Sequence, residues 1–288
     1  MILGFDIGNT HIVPIFYNEV GNILATFRIP THLEFTEDTL FIMLNEFAKS
    51  KNLEISNIKN IIVSSVVPNI NENFTRLGKK YFEIDPTFVT LDNVENKIKE
   101  IKILPNMERG LGADRIVDIL AAKKLYPEKE LLIIDFGTAT TFDMIKDSTY
   151  MGGCIIPGIA LSINALFSNT AALPKIEFTE PETVLGINTV SQINAGIFYG
   201  NVGSIKELIL QYKKFFPNAY VIATGGQGEK ISEYIEQIDE YVPKLGEMGI
   251  FEFYQLNFLK ENSDGIWWKG ITVKNERNNE RYINWFNI

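Results

Sequence analysis

One turn is written twice in this chain, and it constrains the fold more than any other feature. The first copy, residues 1–10, is an apolar strand followed by Asp-Ile-Gly-Asn-Thr, and the second, residues 131–141, is an apolar strand followed by Asp-Phe-Gly-Thr-Ala-Thr-Thr. The glycine permits a sharp turn that side chains would prevent, and main-chain N–H groups and threonine hydroxyls in such a turn can bind phosphate. Two such turns facing each other, each with an acid at its strand end, predict a cleft for a nucleotide's phosphates and a metal ion.

The pattern around each turn is repeated as well, because strand, turn, hairpin, helix and strand follow in the same order in both halves. This repeat predicts an α/β protein of two similar domains with a cleft between them, as an ancient duplication would leave. The hydrophobic spacing predicts helices at 36–50, 74–82, 116–125, 160–168, 188–200, 202–215 and from about 228, and strands at 61–67, 87–91 and 219–223.

The composition argues against several classes of protein. With 288 residues, 45% of them apolar and 22% charged, the chain can build large cores without a metal or a disulfide. A formal net charge of -9 argues against binding nucleic acid or an anionic membrane. Cys154 is the only cysteine, and His11 and His32 lack the spacing of a zinc cluster or catalytic triad. No apolar run of about 18 residues exists and the chain starts with a strand rather than a basic leader, so we expect a cytoplasmic protein.

A second candidate for chemistry lies where the two halves meet, where Gly112 and Ala113 precede Asp114 and Arg115. An acid near a helix start suits the helix dipole, so simple helix capping explains this motif equally well. The functional alternative is phosphoryl transfer, which needs an acceptor hydroxyl held in line and often a carboxylate to take its proton. Asp114 is then the candidate base, and Arg115 is a candidate to hold an anionic group.

Other glycine motifs are less specific. The chain has neither a Gly-x-x-x-x-Gly-Lys-Ser/Thr loop nor the glycine-rich loop of protein kinases, so we exclude both of those classes. The glycines of residues 152–158 are expected to permit close backbone packing, and Cys154 is expected to be a buried, inert thiol. Residues 224–226, Thr-Gly-Gly, form either a platform for adenine or ribose or a simple turn.

At these residues the sequence resembles the type III pantothenate kinases, members of the sugar kinase, Hsp70 and actin-like ATPase superfamily. The resemblance covers about residues 1–257, and the order and spacing of its motifs match throughout. The motifs lie at residues 6–10, 65–68, 112–115, 135–141, 152–158, 170–174, 186–189 and 224–226. The resemblance implies two ribonuclease H-like domains, residues 1–116 and 117–257, followed by an extension at 258–288 that it does not cover.

The resemblance implies ATP-dependent phosphorylation of pantothenate to 4'-phosphopantothenate, the first step of coenzyme A synthesis. It also implies a homodimer in which the partner helps to build the substrate pocket. Two alternatives stay open: a nucleotide-dependent regulatory protein on the same fold, and a kinase of another small hydroxyl substrate. The latter is open because many members carry a Tyr shortly before the Gly-x-Asp-Arg motif, and residues 103–109 contain none.

The resemblance also implies roles for individual residues. The implied ATP contacts are Asp6, Ile7, Gly8, Asn9, Thr10, His11, Ile12, Val13 and Thr138. The implied pantothenate contacts are Gly112, Ala113, Asp114, Arg115 and Thr189. By the same match Asp114 is the proton acceptor, Asp6 organises magnesium, and Asp135 binds a monovalent cation, potassium or ammonium.

A need for bound cations also makes sense from charge alone. ATP brings about four negative charges into the cleft, and Asp6 and Asp135 add two more in an already acidic protein. Bound cations make this arrangement favourable and stabilise charge in the transition state. Magnesium keeps several waters and usually takes only one or two protein carboxylates, so a sparse set of acids is sufficient.

The last stretch of the chain has a different composition. All three tryptophans, Trp267, Trp268 and Trp285, lie in residues 258–288, together with a polar run at 274–281. A capping hairpin with a solvated loop is one interpretation, and a contact with a dimer partner or another protein is the other, because tryptophan is enriched at interfaces.

Overall fold

The protein consists of two β-sheets with one layer of helices between them and further helices on each outer side. The structure, a computed structural model, describes residues 1–31, 34–95, 102–103, 110–170, 173–226 and 228–259. None of the helices in these ranges has both the length and the hydropathy that crossing a bilayer requires.

The first sheet comes from the N-terminal part of the chain and has β1 at its centre. Its strands are β1 (Ile2–Ile7), β2 (His11–Tyr17), β3 (Ile23–Thr26), β4 (Ile29–Pro30), β5 (Asn60–Ser65) and β6 (Thr87–Phe88). The order is β3-β2-β1-β5-β6, with β4 paired to β2. The hairpin partner β2 runs antiparallel to β1, whereas β5 runs parallel to it.

The second sheet repeats this plan around β8. Its strands are β7 (Lys102–Ile103), β8 (Leu131–Phe136), β9 (Ala139–Lys146), β10 (Thr149–Pro157), β11 (Tyr220–Thr224) and β12 (Glu240–Tyr241). The order is β12-β11-β8-β9-β10-β7, in which β9 runs antiparallel and β11 parallel to β8. The predicted fold class, two similar ribonuclease H-like α/β domains, is confirmed, and each repeated turn follows the central strand of its sheet.

Eight α-helices connect and cover the sheets over the described ranges. They are α1 (Glu37–Ser50), α2 (Asn71–Leu77), α3 (Leu91–Glu95), α4 (Ala113–Leu125), α5 (Ile159–Ser168), α6 (Thr189–Phe215), α7 (Gly228–Ser232) and α8 (Leu245–Phe258). The N-terminus of α6 is fixed by a capping box in which Asn188 and Ser191 bond reciprocally. Helix α1 begins after Thr36, whose hydroxyl accepts the N–H of Thr39.

The layer between the two sheets is formed by α4 and α8. Residues 116–122 of α4 are all buried, because this helix packs on both sheets as well as on α8. The two helices approach closely at Gly249, where an added Cβ would lie 1.8 Å from the carbonyl oxygen of Val117. The expected domain boundary after residue 116 therefore runs through a helix that both halves contact.

Three helix predictions need correction. Residues 188–200 and 202–215 form one continuous helix, α6, and its glycines at 196, 200 and 203 have open space where a Cβ would stand. Residues 74–82 are the end of α2 followed by a π-helical turn at Gly78–Phe82. Helix α4 starts at Ala113 rather than 116, so Asp114 and Arg115 lie in its first turn.

Helix α8 has no counterpart in the sequence predictions. Its residues 249–253 are all buried, a run longer than one helical turn, so its apolar residues do not form the single stripe that reveals a surface helix. The extension expected at 258–288 lies outside the described residues from position 260 onward, and so do its three tryptophans.

Candidate active site

The two repeated turns meet across the space between the sheets. The hydroxyl oxygens of Thr10 and Thr138, which are 128 residues apart in sequence, lie 2.8 Å from each other, so either can donate to the other. Both threonines are exposed. The prediction that the two turns face each other is therefore confirmed, and their hydroxyls can contact one bound group together.

Each turn is held in place by backbone hydrogen bonds. In the first turn, residues 8–10, the Gly8 N–H donates to the His11 carbonyl at 2.9 Å, and the Thr31 hydroxyl donates to the Gly8 carbonyl at 2.7 Å. In the second turn, residues 137–138, the Thr138 carbonyl accepts the N–H of Gly158 at 3.1 Å. The hydroxyls that line the cleft thus stand on fixed backbone, as a preorganised anion site requires.

Asp6 and Asp135 occupy equivalent positions in the two sheets. Each is the fifth residue of its six-residue central strand. In the adjacent parallel strand, Ser64 is the register partner of Asp6 and Thr224 is that of Asp135. Both carboxylates thus stand near the carboxyl ends of parallel strands, the edge where open α/β sheets bind their ligands.

The acids of the cleft lie within each other's electric field. Burial raises the pKa of Asp6 to about 7, and the charges of Asp114 and Asp135 add to this shift. Burial also raises the pKa of Asp135 to about 7, again with a contribution from Asp114. The pKa of Asp114 is raised by burial as well. Such mutual repulsion is relieved when a cation binds among the carboxylates.

The acids are nevertheless not a closed metal cage. Within the described ranges, no three histidine, cysteine or acidic side chains converge closely enough to hold a metal by themselves. The donors near Asp6 and Asp135 are carboxylate and hydroxyl oxygens, which suit hard cations such as magnesium and potassium. These residues therefore fit a cation that shares its coordination between one carboxylate, water and phosphate oxygens.

Asp114 stands in the first turn of α4, where its carboxylate is half-buried. Its Oδ1 accepts the backbone N–H of Arg115 at 2.8 Å, which satisfies one of the free donors of the helix start. Gly112 lies directly against the carboxylate, because an added Cβ there would be 2.5 Å from Oδ1 of Asp114. Asp114 thus stabilises the start of α4, and its carboxylate is still partly accessible.

Glycines bring backbone close to the second turn, as expected for residues 152–158. An added Cβ at Gly158 would lie 2.5 Å from the carbonyl oxygen of Thr138, and one at Gly153 would lie 1.9 Å from that of Phe142. Gly225 has a φ of +90°, and a Cβ there would lie 2.4 Å from Oδ1 of Asp135. The close approach of the backbone to Asp135 therefore explains the first glycine of the Thr-Gly-Gly segment.

Cys154 is half-buried rather than buried, and burial raises the pKa of its thiol.

The residues expected to contact ATP differ in how accessible their side chains are. The side chains of Ile7 and Ile12 are 1% and 0% exposed in the core of the first half, so only their backbone is available to a ligand. The remaining residues of the group are at least partly accessible: Asp6, Gly8, Asn9, Thr10, His11, Val13 and Thr138.

Thr189, expected to contact pantothenate, is not brought to the acids by any described contact. It is exposed at the start of α6 and lines a groove of about 290 Å³ between α5 and α6. Asp6, Asp114 and Asp135 do not line this groove. The other expected pantothenate residues, Gly112, Ala113 and Arg115, adjoin Asp114 at the start of α4.

The sequence predictions missed three acids near the site. Asp118, one helical turn after Asp114, is 6% exposed, and its pKa is raised by burial and then by Asp135 and Asp114. Asp143 on β9 is 1% exposed and pairs with Arg115. Glu247 adds to the raised pKa of Asp6 but stands on the unpredicted helix α8. A single acid within an otherwise apolar strand or helix face was the available signal for Asp118 and Asp143.

Comparisons with known proteins show which sequences this chain is similar to. The family model described as type III pantothenate kinase matches residues 2–211. A protein from Fusobacterium nucleatum subsp. nucleatum named type III pantothenate kinase is 45% identical over 258 residues, which cover 89% of this chain and 100% of the relative.

Solved structures share the fold at low identity. A putative 2-dehydro-3-deoxygalactonokinase from Sinorhizobium meliloti aligns with a TM-score of 0.57 and 11% identity, over 92% of this chain and 100% of that one. A conserved putative Baf family transcriptional activator from Campylobacter jejuni aligns with a TM-score of 0.54 and 19% identity, over 89% and 98%. At these identities the likeness concerns the fold alone.

Proposed function

The chain belongs to the type III pantothenate kinase family, and from that premise we propose how its residues carry out the reaction. The enzyme uses ATP to phosphorylate pantothenate, the first step of coenzyme A biosynthesis. The observation that carries the assignment of roles is the 2.8 Å contact between Thr10 and Thr138, with an acid on the central strand before each turn.

ATP occupies the space between the two turns in this proposal. The polyphosphate lies against residues 6–13 and against Thr138, with backbone N–H groups and the two threonine hydroxyls as donors. Ile7 and Ile12 contribute through backbone only, because their side chains are buried. Binding one polyphosphate from both halves makes the nucleotide a bridge that favours the closed arrangement of the cleft.

Two cations complete the site. Asp6 would hold magnesium and Asp135 would hold a monovalent cation, potassium or ammonium. This assignment is supported by the raised pKa of both carboxyls, since burial and repulsion disfavour their charged forms until a cation is close. When bound, the cations neutralise phosphate charge, which grows on the leaving oxygen during transfer.

Asp114 acts on the acceptor in this proposal. The pantothenate hydroxyl forms a bond to the γ-phosphorus as the bond from that phosphorus to the ADP oxygen breaks. The hydroxyl proton passes to Asp114, whose carboxylate is partly accessible in the first turn of α4. In a loose transition state the proton leaves late, so the position of Asp114 matters more than its basicity.

Pantothenate lies at the start of α4, against Gly112, Ala113 and Arg115. Thr189 completes the pocket from a second protomer, which accounts for its lining a groove that the acids of its own chain do not line. A homodimer of this kind is supported by exposed apolar side chains near Thr189, among them Leu185, at 76%, and Ile187, at 92%. Contiguous apolar surface of this kind marks protein interfaces.

Replacing Ile187 by Asp is expected to dissociate the dimer and lower pantothenate phosphorylation by about tenfold or more, because a charge is costly in an apolar interface. Analytical ultracentrifugation and the rate of ADP release measure the two effects. The matched control is Val20→Asp, on an exposed apolar residue of the β2–β3 turn, which should leave both unchanged. A fully active monomeric Ile187→Asp protein would exclude a role for the partner.

The overall assignment is tested by ADP release from ATP with and without pantothenate, and with a panel of small hydroxy acids and sugars. The proposal expects release to require pantothenate and one equivalent of phosphorylated product to form per ADP. Nucleotide turnover that no hydroxyl compound stimulates would instead indicate a nucleotide-dependent regulator.

A further inference from the structure

The Arg115 side chain donates hydrogen bonds to two residues of the second sheet, Asp143 and Tyr150. Its Nε donates to both carboxylate oxygens of Asp143, at 3.0 and 3.1 Å, and its Nη2 donates to Oδ1 of Asp143 at 2.6 Å. Nη2 also donates to the hydroxyl of Tyr150 at 2.8 Å. Arg115 lies in the first turn of α4, whereas Asp143 and Tyr150 belong to β9 and β10, so this network joins the helix that carries Asp114 to the second sheet.

The network is shielded from water. The Asp143 side chain is 2% exposed and the Arg115 side chain is 15% exposed. Gly153 makes room for the guanidinium, because an added Cβ would lie 2.6 Å from Nη2 of Arg115. A charge pair buried in this way is rigid. Removing one partner leaves the other charge buried without compensation, which is destabilising, and allows that charge to pair with another group.

One nitrogen of the fixed guanidinium has no described hydrogen-bond partner. Of its three nitrogens, only Nη1 donates to no described residue. The bond of the Arg115 backbone N–H to Asp114 keeps that carboxylate close at the same helix start. A guanidinium without Asp143 could turn towards Asp114, and it would then occupy the proton acceptor instead of the substrate.

We propose that Asp143 and Tyr150 are positioning residues, which fix the Arg115 guanidinium so that Nη1 meets an oxygen acceptor of pantothenate and the guanidinium stays off Asp114. This inference rests on the proposed pantothenate contact of Arg115. Tyr150 restrains Nη2, and Asp143 supplies the charge and the two-oxygen geometry that a bidentate arginine pair needs.

The first test compares the KM for pantothenate with the KM for ATP. Asp143→Asn is expected to raise the pantothenate KM by about tenfold or more and to change the ATP KM by less than about twofold, because an uncharged amide cannot hold the guanidinium bidentately. Tyr150→Phe, which keeps the charge pair, is expected to raise the pantothenate KM by roughly threefold. The matched control is Glu130→Gln, which breaks the 2.9 Å ion pair to Lys146 at the far end of β9 and should change neither KM.

A double-mutant cycle shows whether Asp143 acts through Arg115. In an Arg115→Met background, adding Asp143→Asn should raise the pantothenate KM by no more than about twofold, since there is no guanidinium left to position. Additive effects, or equal changes in both KM values, would overturn the proposal. If the Asp143→Asn protein does not fold, Tyr150→Phe still tests the proposal. An unchanged pantothenate KM in the Tyr150→Phe enzyme would also overturn the proposal. Failure of the wild-type enzyme to phosphorylate pantothenate would refute the proposed function instead, so the two failures are distinguishable.

Discussion

Replacing Asp114 by Asn is expected to lower kcat for pantothenate phosphorylation by roughly 10²-fold or more, the usual contribution of a general base. The amide has nearly the shape of the carboxylate and can still accept the Arg115 N–H, so α4 should begin at the same place. It cannot take the hydroxyl proton. Steady-state kinetics with both substrates varied measure the effect.

ATP binding provides the internal control for this variant. The amide removes a negative charge that raises the pKa of both Asp6 and Asp135, so the ATP KM should stay the same or fall slightly. An Asp114→Asn enzyme that keeps kcat within about tenfold of the wild type would remove Asp114 from the role of base.

Replacing Asp6 by Asn is expected to have two effects of opposite sign. Activity should fall by roughly 10²-fold or more, because a group that organises the cation at the developing phosphate charge is lost. The nucleotide-free protein should become more stable above pH 7. The reason is that burial and the neighbouring carboxylates disfavour the Asp6 charge when no cation is bound.

The sign of the pH dependence follows from proton uptake. The Asp6 carboxyl has a pKa of about 7 in the folded protein against an ordinary value of 3.8. Between these values the folded state binds more protons than the unfolded state, so the free energy of unfolding falls as pH rises from about 4 to about 7. Asn cannot titrate, so the variant should lose this slope and gain roughly 1–3 kcal/mol at pH 8, a figure reduced for the partial exposure of the site.

Thermal unfolding at pH 5 and pH 8 without nucleotide measures this prediction. Asp147→Asn, at an exposed acid of the β9–β10 turn, is the matched control and should leave both activity and melting temperature unchanged. An Asp6→Asn protein with wild-type activity, or with no gain in stability at pH 8, would contradict the cation role of Asp6.

The duplicated turn carried most of what the sequence could predict. Strand, glycine and hydroxyl residues recur with the same spacing, and each local pattern is sufficient to define a strand, a sharp turn and a returning hairpin. Because both copies share one topology, the equivalent positions of Asp6 and Asp135 followed from the sequence. The meeting of Thr10 and Thr138 followed from the same repeat, although the direct contact between their hydroxyls did not.

What the sequence did not predict depends on packing between distant segments. Helix α8 is buried between the sheets, and a helix that is apolar around much of its circumference gives no clear helical period. The pairing of Asp143 with Arg115 could not be predicted, since the two residues are 28 positions apart and meet only in the folded protein. The length of α6 was also not predicted, since residues 188–200 and 202–215 were expected as separate helices and form one helix whose glycines at 196, 200 and 203 have open space.

The most direct test is a crystal structure with a non-hydrolysable ATP analogue, magnesium and pantothenate bound together. The account predicts phosphate oxygens within about 3 Å of both threonine hydroxyls, Thr10 and Thr138, and the pantothenate hydroxyl within the same distance of the Asp114 carboxylate. A nucleotide that contacts one turn alone, or a hydroxyl directed away from Asp114, would contradict it.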